Sequence, residues 1–188
     1  GDLLTTSASS YFDLSTGDWT IDGWSYSPGY SGYCVLFIIG TQNSVVSNTM
    51  GLFGNNGNGT VSYLINGSGA QGFNTAYSWP TNNWNYFELV KSGTTTTLYV
   101  NGTSRGSTTN TPPATGSTCR LYTYNAQGNY YTGYLILRVT KGTARTNTVP
   151  TGAFPMAILL PLQQRNEPLY CQRIVMFCIT MTKRKRYL

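Results

Sequence analysis

The sequence contains no histidine, only six acidic residues, and a charged fraction of 10%. Without histidine, neither a Ser-His-Asp nor a Cys-His catalytic site can be built, and a mixed Cys/His zinc site is also excluded. The shortage of carboxylates bears on glycoside hydrolysis, which needs two of them close together. Glu88 and Glu167 are the only glutamates and lie far apart in the chain. Asp18 and Asp22 stand four apart, so both can face one side of a strand, but no third acid follows. Cysteine is sparse too. Cys34 and Cys119 sit in strand-like runs, while Cys171 and Cys178 lie near the C-terminus. No pair has the close spacing of a zinc knuckle or a redox motif. Buried free thiols are expected at Cys34 and Cys119, with a Cys34–Cys119 disulfide as the alternative. No apolar run reaches the roughly 18 residues of a membrane helix, and no signal-peptide pattern opens at Gly1. No 3.6-residue apolar periodicity occurs before residue 156.

What the chain does have is glycine, hydroxyl residues, asparagine and aromatics, the last at 14% with 15 Tyr and 4 Trp. That many aromatics, with so little charge, argues against disorder. Trp19–Tyr26 alternates strictly: Trp19, Ile21, Gly23 and Ser25 face one side, Thr20, Asp22, Trp24 and Tyr26 the other. Aromatics on both sides predict a strand covered on both faces. Residues 33–40 form a continuous apolar run of strand length. Residues 50–66 read as a hairpin around the turn NNGNG. Residues 84–91 and 95–101 form a second, followed by a short return strand at 103–107. Residues 67–83 and 108–116 read as loops, 119–124 and 133–140 as strands, and 141–155 as irregular chain over the outside of the fold. Eight to ten strands with turn signals every 8–12 residues give the spacing of a sandwich or barrel. The fold class expected is an all-β antiparallel sandwich.

The charge of +6 is uneven. Residues 1–155 hold six basic and five acidic residues; residues 156–188 hold six basic residues and only Glu167. The tail also lacks glycine and ends in the basic run 183–186. The chain therefore divides into a sandwich over 1–155 and a basic extension or assembly arm over 156–188. Nucleic-acid contact is expected nowhere except through 183–186. The stretch IVMFCITM within the tail fits either a strand that adds to a neighbouring sheet or a short helix.

Four segments, in order and spacing, resemble the concanavalin A-like/laminin-G-like jelly-roll domains of phage and viral tail, decoration and capsid-associated proteins. They are GDWTIDGWSY (17–26), NNWNYFELVKSGTTTTLYVNG (82–102), GYLILRVTKGTAR (133–145) and TNTVPTGAFP (146–155). The resemblance covers about residues 1–155. It departs from the family at Tyr86, where a histidine is usual, and before Gly1, where the family has further strand residues, so a cleaved or truncated start is expected. The tail from Met156 has no counterpart; an assembly arm and a shifted reading frame both stay open.

The resemblance implies a non-enzymatic structural protein of a virion or extracellular particle, self-associating with other particle subunits as a homo-oligomer. The alternative is a carbohydrate-binding adhesion domain on a fibre or secreted surface protein. Related sandwiches include glucanases, whose carboxylates lie on one strand in an array that this chain lacks. If a cell-surface glycan is bound, the loop candidates are Tyr30, Tyr33, Tyr77, Trp79, Asn129, Tyr130 and Tyr131, since such sites stack sugars on aromatic faces; the simpler reading is that Trp79 plugs the end of the sandwich and the tyrosines pack on neighbouring subunits. Trp19, Trp24 and Trp84 are expected in the core. A weak Ca²⁺ site at Asp13 and Asp18 is a further candidate, against the simpler reading that Asp13 caps the turn that follows it. The Asn-Gly pairs at Asn58, Asn66 and Asn101 fit N-glycan acceptor patterns, and turn chemistry is the better reading of them. No membrane insertion is expected.

Overall fold

The alternation of Trp19–Tyr26 becomes the middle of a sheet because both of its edges find partners. The computed structural model describes residues 4–5, 9–29, 33–40, 48–56, 59–66, 68–113, 119–121, 123–124, 129–130, 134–145, 148–151 and 175–180. In chain order the strands are β1 (Leu4–Thr5), β2 (Trp19–Tyr26), β3 (Tyr33–Ile39), β4 (Met50–Asn56), β5 (Thr60–Ile65), β6 (Ser68–Ala76) and β7 (Trp84–Ser92). They continue with β8 (Thr95–Val100), β9 (Thr103–Thr108), β10 (Cys119–Leu121), β11 (Thr123–Tyr124), β12 (Asn129–Tyr130), β13 (Tyr134–Lys141) and β14 (Val175–Thr180). One short 3₁₀ turn, Ser10–Phe12, precedes β2. All pairings are antiparallel, in two six-stranded sheets: β1-β10-β3-β4-β5-β6 and β14-β13-β2-β7-β8-β9. β11 and β12 form a separate two-stranded ribbon against β3. The chain is thus an all-β antiparallel sandwich, as its sequence pattern predicts.

The core lies between the sheets. From the second sheet come Trp19, Ile21, Phe87, Leu89, Leu98, Leu135 and Leu137; from the first come Leu36, Phe37, Leu52, Tyr63 and Ile65. Each large aromatic takes roughly 150–250 Å² out of water, an upper bound of about 4–6 kcal/mol. Gly23 is required where β13 crosses close by, because a Cβ there would sit 2.1 Å from the Ile136 carbonyl oxygen. Asn101 and Gly102 make the β8–β9 turn with φ of 49° and 79°, the left-handed pair of a tight hairpin. Asn66 is likewise left-handed, at φ 51°, so turn geometry explains both Asn-Gly pairs; Asn58 lies outside the described residues.

One part of the chain differs from the sequence expectation, and a second takes the strand reading of the two that the sequence leaves open. Residues 68–76, read as loop, form β6 at the edge of the first sheet. Their small polar side chains hide the alternation, and Phe73 is the one buried apolar anchor among the described side chains. In the C-terminal extension, Val175–Thr180 pairs with β13 and becomes the sixth strand of the second sheet. That strand therefore joins the sheet of its own chain. Cys34 and Cys119 are both buried, and neither is in a disulfide. Cys119 pairs opposite Ile39 rather than Cys34, and five residues of strand, about 17 Å, separate those positions. Burial pushes the Cys34 thiol up to about 12. Residues 142–145 and 148–151 carry no regular structure. They cross the outer face of the second sheet, where the Arg145 N–H donates to Thr20 Oγ1 at 2.9 Å.

Candidate functional site

Because side chains alternate along a strand, the outward face of the second sheet is a grid of cross-strand rows. The first row is Trp84, Tyr26 and Tyr134, paired through β7, β2 and β13. Its rings lie 5.7, 6.0 and 6.1 Å apart by centroid. Trp84 is 48% exposed and Tyr134 43%. The next row is Tyr86, Trp24 and Ile136, with the Trp24 and Tyr86 rings 5.3 Å apart. The third row is ionic: Glu88, Asp22 and Arg138.

In that third row Asp22 is wholly buried and fully engaged. Arg138 Nε donates to Asp22 Oδ1 at 3.0 Å, and Arg138 Nη2 donates to Asp22 Oδ2. Tyr86 Oη donates to the same Oδ2 at 2.9 Å, and Arg145 Nη1 lies 4.0 Å from it. A bidentate guanidinium and a phenol leave the carboxylate well compensated. Glu88 is treated differently. It is 1% exposed, and its Oε2 has no hydrogen-bond partner. Burial and the Asp22 charge push its carboxyl up to about 7, against the pull of Arg145 and Arg138. Burial and Asp22 also push the Tyr86 phenol upward. A second orphan on this face is Trp24 Nε1, buried without an acceptor. Beside the ionic row is a cleft of about 420 Å³ lined by Tyr86, Glu88, Arg138, Arg145, Thr148 and Pro150 among others.

Residues 2–136, more than two thirds of the chain, match the profile of the concanavalin A-like lectin/glucanases superfamily. The chain belongs to this superfamily. No curated protein matches it in sequence. Among solved structures, domain 4 of the extracellular arabinanase AbnA from Geobacillus stearothermophilus, in complex with arabinotriose, superposes with a TM-score of 0.56 at 17% identity. That match covers 70% of this chain and 65% of that one. The mouse laminin alpha1 LG4-5 domains give 0.51 at 18%, covering 73% and 37%. The Ruminococcus gnavus sialidase CBM40 bound to α2,3-sialyllactose gives 0.51 at 12%, covering 78% and 92%. The chain thus spans less than two thirds of the first two. At these identities the shared feature is the fold.

Of the seven loop candidates in this concanavalin A-like sandwich, Tyr77 and Trp79 are the two whose side chains the structure describes. Trp79 takes the packing reading and leaves the glycan candidates: it is 2% exposed, its ring lies against Gly54, and its Nε1 donates to Ser25 Oγ at 3.2 Å. It plugs the core and offers no face to a sugar. Tyr77 is half-buried, with one face covered by the Arg105 guanidinium at 4.0 Å. Tyr33 opens β3, and Asn129 and Tyr130 form β12, which lies against β3. Tyr30 and Tyr131 lie outside the described residues. Trp84 is corrected in the opposite direction. Expected in the core, it stands in the exposed row, while Trp19 is fully buried and Trp24 partly.

The two aspartates read as a Ca²⁺ pair have separate tasks. Asp13 Oδ1 accepts from the Ser15 hydroxyl at 2.6 Å and the Ser15 N–H at 3.1 Å, which lowers its pKa. It caps its own turn. Asp18 Oδ1 accepts from the Gly93 N–H at 2.8 Å. Close by in the chain, the Gly17 and Gly93 carbonyls take the Lys91 ammonium, at 2.8 and 2.9 Å. A lysine thus already supplies the positive charge there. Among the described residues no group of three or more His, Cys, Asp or Glu is placed to hold a metal, nor is any helix long and apolar enough to cross a membrane. The opposition of Asp22 and Glu88 is the site feature the sequence reading missed. Only strand register brings them together, and the sequence offers no direct signal of it.

Proposed function

We propose that this domain is a non-catalytic carbohydrate-binding module that docks its ligand on the outward face formed by β13, β2 and β7. The observation that carries this reading is the row of Trp84, Tyr26 and Tyr134, three neighbouring rings of which two are large and exposed. Clustered exposed aromatics on a soluble domain mark an interaction surface. Sugars pair apolar C–H faces with hydroxyls, so rings beside a polar row suit them. Relatives solved with arabinotriose and sialyllactose support the ligand class, and an extracellular location follows from it.

Asp22 and Glu88 deserve comparison with a glycosidase pair, since directly opposed carboxylates with divided protonation suit that chemistry. Both oxygens of Asp22, however, are held by Arg138 and Tyr86, and its side chain is wholly buried. It cannot reach an anomeric carbon. The arrangement favours binding over hydrolysis.

A broad glycan array tests the reading, with Trp84→Ala and Tyr134→Ala as controls. Reproducible hits lost in both variants, with no sugar hydrolysed, support it. An empty array would overturn it. The particle-building alternative predicts a concentration-dependent oligomer in which Trp84 is shielded from quenchers.

A further inference from the structure

We propose that the cleft beside Glu88 is an acidic-sugar subsite, binding a sugar carboxylate between the Glu88 carboxyl and the Arg145 guanidinium. This rests on the carbohydrate-binding reading and names the ligand class for the same face. The first ground is the orphan. Glu88 Oε2 is buried without a partner in a residue that lines the cleft, and a buried polar atom left unpaired costs stability unless something completes it. The second ground is the balance of charge. The groups around Glu88 are Asp22 on β2, Tyr86 on β7, Tyr99 opposite on β8, Arg138 on β13, and Arg145 on the crossing segment. Asp22 takes up Arg138. Arg145 is anchored by its backbone N–H on Thr20 and by Nη2 on Thr140 at 2.8 Å. Its Nη1 lies 4.0 Å from Asp22 Oδ2, within ion-pair range but too far for a hydrogen bond, so the five-donor fork keeps donors for a further acceptor. Two guanidiniums thus face one ionised carboxylate, and the surplus is positive while Glu88 holds its proton.

A protonated Glu88 donates a hydrogen bond, so a ligand carboxylate would accept from it and from Arg145 together. Once Glu88 ionises, near pH 7, it becomes an acceptor of like charge to the ligand and the surplus disappears. Binding is therefore strongest in acid and weakens as pH rises. The aromatic row lies four residues along β7, about 13 Å away. An oligosaccharide can reach both, with the acidic unit in the cleft and a neutral unit on Trp84.

The test is calorimetric titration of the whole chain with two matched pairs, glucuronate against glucose and sialyllactose against lactose, at pH 5.5 and 8.5. The expected result is at least a tenfold preference for each acid at pH 5.5, falling about tenfold by pH 8.5. Arg145→Gln should abolish the preference. Glu88→Gln, which keeps a donor without a titration, should retain it at both pH values. Equal binding of acid and neutral partner, no binding of either acid at pH 5.5, or an unchanged pH decline in Glu88→Gln would each overturn the proposal. So would competition by acetate at the affinity of glucuronate, which would make the cleft a bare anion pocket. Neutral sugars that still bind wild type and are lost in Trp84→Ala would leave the carbohydrate reading standing alone.

Discussion

The outer faces of the two sheets are built on opposite plans. On the first sheet, Val35, Ile38, Phe53 and Leu64 form a small apolar cluster, all at least nine-tenths buried. On the second, the corresponding surface carries exposed rings, a satisfied ion pair, and two orphaned polar atoms. The first face acts as additional core. The second retains unmet hydrogen-bonding capacity and uncovered aromatic area, which is how a surface waiting for a ligand differs from one completed by its own chain.

Substitutions can break or sharpen that contrast. The largest effect is expected at Arg138→Ala. It strands the buried Asp22 carboxylate and should cost about 3–5 kcal/mol, read from urea unfolding; a loss under 1 kcal/mol would mean that the ionic row is not a structural unit. Next is Glu88. Burial pushes its carboxyl up to about 7 in the fold, from an ordinary 4.5. Between those values the folded state holds a proton that the unfolded state has released. Stability therefore falls as pH rises through the window, by at most about 1.4 kcal/mol per unit. Below pH 4.5 the penalty is absent. Glu88→Gln should accordingly gain stability over wild type at pH 8 and little at pH 4.5, which melting curves across that range will measure. Leu64→Ala, on the opposite outer face, should cost about 2–3 kcal/mol and leave glycan affinity untouched. The smallest stability effect is expected at Trp84→Ala, within about 0.5 kcal/mol. A large destabilisation there would return Trp84 to the core and erase the contrast.

Much of the fold was legible because period-2 alternation and Asn-Gly turns are local signals. The pattern Trp19–Tyr26 sorts its residues onto the two faces correctly, although the outer face is covered over Thr20 and Asp22 and only partly over Trp24 and Tyr26, and the hairpin at 84–101 follows from Ser92-Gly93-Thr94 and its flanking runs. β6 is hidden from the sequence because Gly, Ser and Asn side chains carry no apolar period, and β14 stays open there between strand and helix because a short apolar run in a basic tail fits both. The site was less legible. Alternation puts Trp84, Tyr86 and Glu88 on one face but cannot tell which face meets the other sheet, so Trp84 was read as core. Trp79 was read as a loop aromatic because nothing local reveals that Gly54, distant in the chain, leaves space for its ring. The Asp22–Glu88–Arg138 row exists only through register between strands far apart in sequence.

The measurement that tests the account most directly is the affinity of the strongest array ligand for wild type and Trp84→Ala, taken with the melting temperature of each. Trp84→Ala should bind at least tenfold more weakly with melting unchanged. Equal affinity in the two proteins would contradict it and place the ligand, if any, away from this face.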